Sequence, residues 1–273
     1  MQVYRGLDIG TAKPSAAERQ EVQHHLIDVE PLSGSFDAAR FRTLAGLAVQ
    51  VIQGRGRTPI FCGGTGLYFK AWFEGVSEAP SSDPALREEL SRCPLETLLV
   101  ELQQRDPVAF QRIDRCNPRR VIRAIEVIRL SGRPFSEQQA PWGEAAGQTE
   151  PMPGFFYLSR GMDELRQRIH RRVRAMMAAG WVEETRQALH LGLESNPFAM
   201  QAIGYHEIVQ HLRGHLSLEE CIERIDIRTR QYAKRQATWF RKHAAAVHIP
   251  VDPSSTPEQI GRDLLSRGGL NLG

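Results

Sequence analysis

The sequence predicts an α/β fold, a parallel sheet core interrupted by a helical insertion domain and completed by C-terminal helices. Three observations point there. Helical periodicity over Ser35–Gln53 gives way to a short apolar run, TPIFCGG, and a glycine turn into LYFKAWFEG; the order helix, strand, turn, helix favours parallel pairing. After Pro80-Ser81-Ser82-Asp83-Pro84 the pattern becomes amphipathic and helical, with no strand before about Ser131. FFYL at Phe155–Leu158 then reads as strand again, and helices dominate from Asp163 to the end. The expected division is 1–82 for the first part of the core, 83–150 for the insertion and 151–273 for the second part of the core.

Taken in order, His25–Val29 is a plausible strand beside Thr58–Gly64. The first long helix places Phe41, Leu44, Ala48 and Val51 at helical spacing, with Gly54 and Gly56 as stop signals. Gly63-Gly64-Thr65-Gly66 has two readings: an anion site, where backbone N–H groups of the next helix face a ligand, or a tight strand-to-helix turn. The insertion helices break at Asp106-Pro107 and Asn117-Pro118. The helix after Pro118 turns Val121, Ile122, Ile125 and Ile128 to a core and carries Arg119, Arg120 and Arg123. Those arginines either hold phosphates or form a solvated face in which Arg123 pairs with Glu126, the one carboxylate of the run. Ala140–Gly154, rich in Pro, Gly and Ala, reads as a mobile connection. Arg166–Arg174 is flanked by acids and reads as a solvated helix face.

Composition excludes several classes. The four cysteines are scattered with no CxxC pair, so reduced thiols and a cytosolic setting are expected. No run approaches the roughly 18 apolar residues of a membrane span, and the first residues do not form a secretion signal. His211 and His215 lie one helical turn apart, but no HExxH glutamate accompanies them, and neither a GxSxG elbow nor a GxxxxGK[ST] loop occurs. A net charge of +3 says little; its distribution says more. Ile227–Val251 holds no Asp or Glu but contains Arg228, Arg230, Lys234, Arg235, Arg241 and Lys242. On a helix, Arg228, Gln231, Arg235, Thr238 and Lys242 share one stripe and Tyr232, Gln236 and Trp239 another. Charge beside aromatic and amide groups suits single-stranded RNA; the alternative is that Tyr232 and Trp239 are core residues.

Six segments together resemble the tRNA dimethylallyltransferases, also called tRNA isopentenyltransferases: MQVYRGLDIGTAKP, GGTGLYFKA, SSDPALR, NPRRVIRAIEV, AIGYHEI and TRQYAKRQATWFR, in the family's order. The resemblance implies a P-loop NTPase-like core with a helical insertion. It implies transfer of a dimethylallyl group from dimethylallyl diphosphate to N6 of the adenosine 3′ of the anticodon, with Mg²⁺ assisting departure of diphosphate. By motif match, tRNA contacts fall at Met1, Gln2, Thr65, Arg87, Arg119, Arg120, Val121, Ile122, Arg123, Gln201, Ala202, Ile203, Gly204, Tyr205 and His206. Further contacts fall at Lys234, Arg235, Gln236, Ala237, Thr238, Trp239, Phe240 and Arg241. Arginine and lysine would hold phosphates, while Gln2, Thr65 and Gln236 would meet the base or ribose. A monomer acting on the tRNA anticodon stem-loop is expected.

The sequence departs from the family at its front. Met1 stands where members have an internal residue, preceded by a P-loop unit and by an Asp that serves as general base. Supplying that unit takes roughly forty residues, a βαβ element being ~30 or more. Reduced transferase activity of these 273 residues is therefore expected, with tRNA affinity retained. An adenylate isopentenyltransferase and a non-catalytic tRNA-binding remnant are the competing readings.

Overall fold

The computed structural model describes residues 1–77, 79–138, 154–242 and 246–269. The chain forms two compact units, Met1–Phe69 with Gln148–Gly273, and Lys70–Gly147. Most of the connection expected at Ala140–Gly154 falls outside the described residues.

The first unit opens with turns around a bridge between Tyr4 and Glu30, then helices α1 (Ala16–Glu21) and α2 (Ala38–Gly54). Asp37 caps α2, accepting from the Arg40 N–H. Within α3 (Gly66–Glu74) the chain passes out of this unit, whose next described element is β1 (Phe156–Ser159). Four helices follow, α8 (Met162–Ala178), α9 (Trp181–His190), α10 (Tyr205–Leu212) and α11 (Leu218–Lys242), before β2 (Val247–Pro250) and α12 (Pro257–Arg267). Strands β1 and β2 pair in parallel, Phe156 opposite Val247 and Ser159 opposite Pro250. The architecture is thus mixed α/β with a small parallel sheet and many helices.

Two expected strands do not form. At His25–Val29, Leu26 (φ 61°) and Asp28 (φ 55°) adopt left-handed backbone, which breaks an extended run. Thr58–Gly64 makes no ladder with another described segment, and Ile60 is 81% exposed. A strand persists only where its N–H and C=O groups find a neighbouring strand. On α2, Phe41 and Leu44 pack on the core as the periodicity predicts, whereas Val51 is exposed.

The main core gathers Tyr4, Leu7, Ile169, Trp181, Tyr205, Ile208 and Ile225 from turns and helices far apart in sequence. Trp181 is its keystone. The indole lies so close to two glycines that a Cβ at Gly10 or at Gly204 would sit 2.1 Å from it. Gly204 also has φ +102°, so both packing and backbone require glycine there.

The second unit packs α4 (Pro84–Arg92), α5 (Leu95–Arg105), α6 (Pro107–Arg112) and α7 (Pro118–Ser131). Prolines open α4, α6 and α7 at positions where a helix needs no N–H donor. Leu90, Leu98, Leu102, Val121, Ile125 and Ile128 form its core.

Candidate nucleic-acid interface

In the first unit the site is built around the glycine turn and the last third of α11. Gln236 Nε2 donates to the Gly64 carbonyl at 3.0 Å. A Cβ at Gly64 would lie 2.0 Å from the Gln236 amide, and one at Gly66 would lie 2.4 Å from the Trp239 ring. The glycines therefore admit two side chains of α11. Packing thus requires glycine at positions 64 and 66, and the Gln236 amide is engaged by the protein. Trp239 meets Phe240 edge-on at 4.7 Å, and Phe240 stacks on Tyr157 of β1 at 5.3 Å. Trp239 is half-buried, whereas Tyr232 is exposed, its ring carrying the Arg235 guanidinium 5.7 Å from the centroid.

The basic patch is smaller than its composition suggests. Arg228 pairs with Glu207, and Arg230 with Asp226 at 3.3 Å, through carboxylates brought by α10 and the preceding turn of α11. Lys234, Arg235, Arg241 and Lys242 stay exposed and have no carboxylate within ion-pair distance among the described residues. His243 lies outside those residues. Ala237 and Phe240 are buried, so their side chains belong to the core rather than to an RNA-facing surface.

The turn before α10 divides in the same way. Gln201 and His206 are exposed and Ile203 is partly so, but Ala202, Gly204 and Tyr205 are buried. Tyr205 donates its hydroxyl to Glu184 Oε1 at 2.7 Å. The Glu184 carboxylate also accepts the N–H groups of Asp8, Ile9 and Gly10 at 2.8, 2.6 and 3.0 Å. Burial, together with that carboxylate, pushes the Tyr205 phenol up. Met1 is exposed, but Gln2 directs its amide nitrogen to the carbonyls of Thr11 and Ala12. Lys13, its side chain 1% exposed, holds that loop from inside through Asp8 at 2.5 Å, Asp28 at 2.6 Å and the Tyr4 carbonyl. Thr65 is exposed at the entry to α3, its carbonyl accepting from the Tyr68 N–H.

In the second unit Val121 is buried and Ile122 packs on the core, while Arg119 and Arg120 are exposed. Arg87 and Arg123 converge on Glu126, which is fully buried. Sequence reasoning found the Arg123–Glu126 pair by its spacing. Motif match named Arg87, but its pairing with Glu126 from another helix was not foreseen, and Lys13 and Glu184, whose partners are set by tertiary contacts, were missed.

Magnesium requires oxygen ligands, of which the protein need supply only one or two when substrate phosphates provide the rest. No group of three or more His, Cys, Asp or Glu side chains suited to a metal occurs among the described residues. The side chains gathered at the glycine turn and along α11 are cations, amides and aromatics, which suit phosphates and bases better than a metal.

Comparison with known proteins supplies the class. The IPP transferase family model matches residues 2–243, which makes the protein a prenyl-transferring α/β enzyme. A tRNA dimethylallyltransferase of Trichlorobacter lovleyi is 43% identical over 259 residues, 93% of this chain and 84% of the relative. The chain belongs to the IPP transferase family, that of the tRNA dimethylallyltransferases. The crystal structure of the tRNA isopentenylpyrophosphate transferase from Bacillus halodurans superposes with a TM-score of 0.67 at 36% identity, covering 98% of this chain and 84% of that one. A eukaryotic dimethylallyltransferase acting on tRNA, 24% identical with a TM-score of 0.74 over 97% of this chain and 69% of that one, supports the fold.

Proposed function

We propose that the protein holds the anticodon stem-loop of tRNA for transfer of a dimethylallyl group from its diphosphate to N6 of the adenosine 3′ of the anticodon. The observation that carries this is the face of α11. Four exposed cations there, Lys234, Arg235, Arg241 and Lys242, accompany a glycine turn fixed by Gln236 and Trp239 of the same helix. In the reaction the N6–C bond forms as the C–O bond to diphosphate breaks, and N6 gives up a proton. The side chains described here serve binding and orientation: cations hold backbone phosphates, and Tyr232 offers a ring for stacking. Magnesium would enter bound to the diphosphate rather than to a cluster of the described side chains and would supply neutralisation of the leaving group's charge, which loss of transfer in EDTA tests. The 273 residues contain no GxxxxGK[ST] loop to receive that diphosphate, and on this reading they bind tRNA but transfer slowly by themselves. The protein is taken to act as a cytoplasmic monomer.

The test is a titration of the purified chain with tRNA at several salt concentrations, alongside a transfer assay. Four phosphate contacts to a single strand predict a slope of log K against log salt of about −3. Absent or salt-independent binding would overturn the tRNA reading. Turnover matching that of longer family members would overturn the claim of slow transfer alone.

A further inference from the structure

We infer that Glu126 is a positioning residue that sets Arg87 and Arg123 as a paired clamp for RNA backbone phosphate. The inference rests on the tRNA-holding reading above and assigns to a buried acid a role within it. Glu126 sits on α7 amid Ala124, Ile125, Val127 and Ile128, all buried, a position where packing alone would favour an apolar side chain. A lone carboxylate there would be costly, yet both of its oxygens are engaged. Oε1 accepts from Ser82 Oγ at 3.1 Å and from the Asp83 N–H at 2.9 Å, and lies 2.9 Å from Arg87 Nε. Oε2 accepts from Arg87 Nη2 at 3.1 Å and from Arg123 Nη1 at 2.6 Å. Arg123 is fixed a second time, Nη2 donating to the Pro80 carbonyl at 2.8 Å.

The arrangement orders two guanidinium groups without neutralising both. Two positive charges meet one negative charge, which leaves +1, and the two side chains remain 33% and 29% exposed. A guanidinium has five N–H donors, so each retains donors beyond those bonded to Glu126 and Pro80. Arg119 and Arg120 follow on the exposed first turn of the same helix. A phosphate approaching this face meets side chains whose rotamers are already set, so their ordering cost falls on folding rather than on binding.

This makes a prediction of unexpected sign. If Glu126 acted on RNA through its charge alone, removing a negative charge from a basic face would tighten binding. A positioning role requires the opposite. The experiment titrates the full 273-residue chain and Glu126→Gln with a synthetic anticodon stem-loop RNA, at temperatures where circular dichroism shows both folded. Expected is a roughly tenfold weaker Kd for Glu126→Gln, from two side chains that must now be ordered on binding. The loss should disappear when Glu126→Gln is introduced into an Arg87→Ala/Arg123→Ala background, because Glu126 then has nothing to position. Equal or tighter binding by folded Glu126→Gln would overturn the inference, as would an undiminished loss in the arginine-free background. Should Glu126→Gln unfold at every usable temperature, Glu126→Asp, still charged but too short to reach both arginines, takes its place with the same outcomes. Failure of the unaltered chain to bind the RNA would instead overturn the tRNA reading, and the inference with it.

Discussion

Gly66→Ala tests whether the glycine turn is shaped by packing. The added Cβ would lie 2.4, 2.5 and 2.8 Å from Cδ2, Cε2 and Cε3 of Trp239. Carbon atoms settle at about 3.5–4.0 Å, so the indole must retreat by about 1 Å. It has little room, because Trp239 abuts Phe240, and Phe240 is enclosed by Phe69, Phe155 and Tyr157. Overpacking of this kind costs about 1–3 kcal/mol. Helix propensity offsets this only slightly, because Gly66 is the first residue of α3, whereas the preference of about 1 kcal/mol for alanine over glycine belongs to helix interiors. The expected net destabilisation is about 1–2 kcal/mol, read from urea unfolding followed by circular dichroism, with weaker RNA binding because Trp239 and Gln236 share the same helix. In a Trp239→Ala background the destabilisation should disappear. Gly66→Ala as stable as the unaltered chain would refute the packing account of the turn.

Other perturbations have outcomes of comparable definition. Glu184→Ala strips an acceptor from three backbone N–H groups and the Tyr205 hydroxyl, of which the Asp8 bond is exposed and the other three are part-buried; with water relieving the exposed donor fully and the others in part, a loss of about 2–4 kcal/mol is expected in denaturant unfolding. Arg235→Ala removes an exposed cation of α11 and should weaken tRNA binding while reducing the salt slope by about 0.7, measured by filter binding. Burial by itself would raise the Glu126 carboxyl, but bonds from Arg123, Arg87 and the Asp83 N–H outweigh it and hold it below its ordinary value of 4.5. A carboxyl depressed on folding contributes stability that is complete above its unfolded value and is lost as pH falls through the folded one. Melting of the unit containing α4–α7 should therefore become acid-sensitive only below about pH 4.5, less so in Glu126→Gln, as followed by amide exchange.

The helices were legible because their signals are local. Asp83, Asp106 and Asn117, each followed by proline, mark the starts of α4, α6 and α7 in adjacent residues. Periodicity placed Val121, Ile125 and Ile128 on the core face of α7. The strands were less legible. Thr58–Gly64 and His25–Val29 have the composition of strands, but pairing depends on a partner and on neighbouring backbone angles. At the candidate interface, the matching segments place cationic residues on α11 and α7, yet the same segments mix exposed Lys234, Arg235 and His206 with buried Ala237, Tyr205 and Val121.

By itself the sequence determined the family, through six ordered segments, and the helical character of the insertion, through caps and periodicity written within a few residues of one another. Tertiary structure alone decided which charges remain available. Arg228 and Arg230 count as positive in any composition, but Glu207 on α10 and Asp226 one turn earlier on α11 engage them. It also decided why Gly64 and Gly66 are glycine: an amide and an indole from residues more than 150 positions away occupy the space where their side chains would stand. Charge pairing and close packing act over a few ångströms of space regardless of separation along the chain, and local sequence patterns do not record that distance.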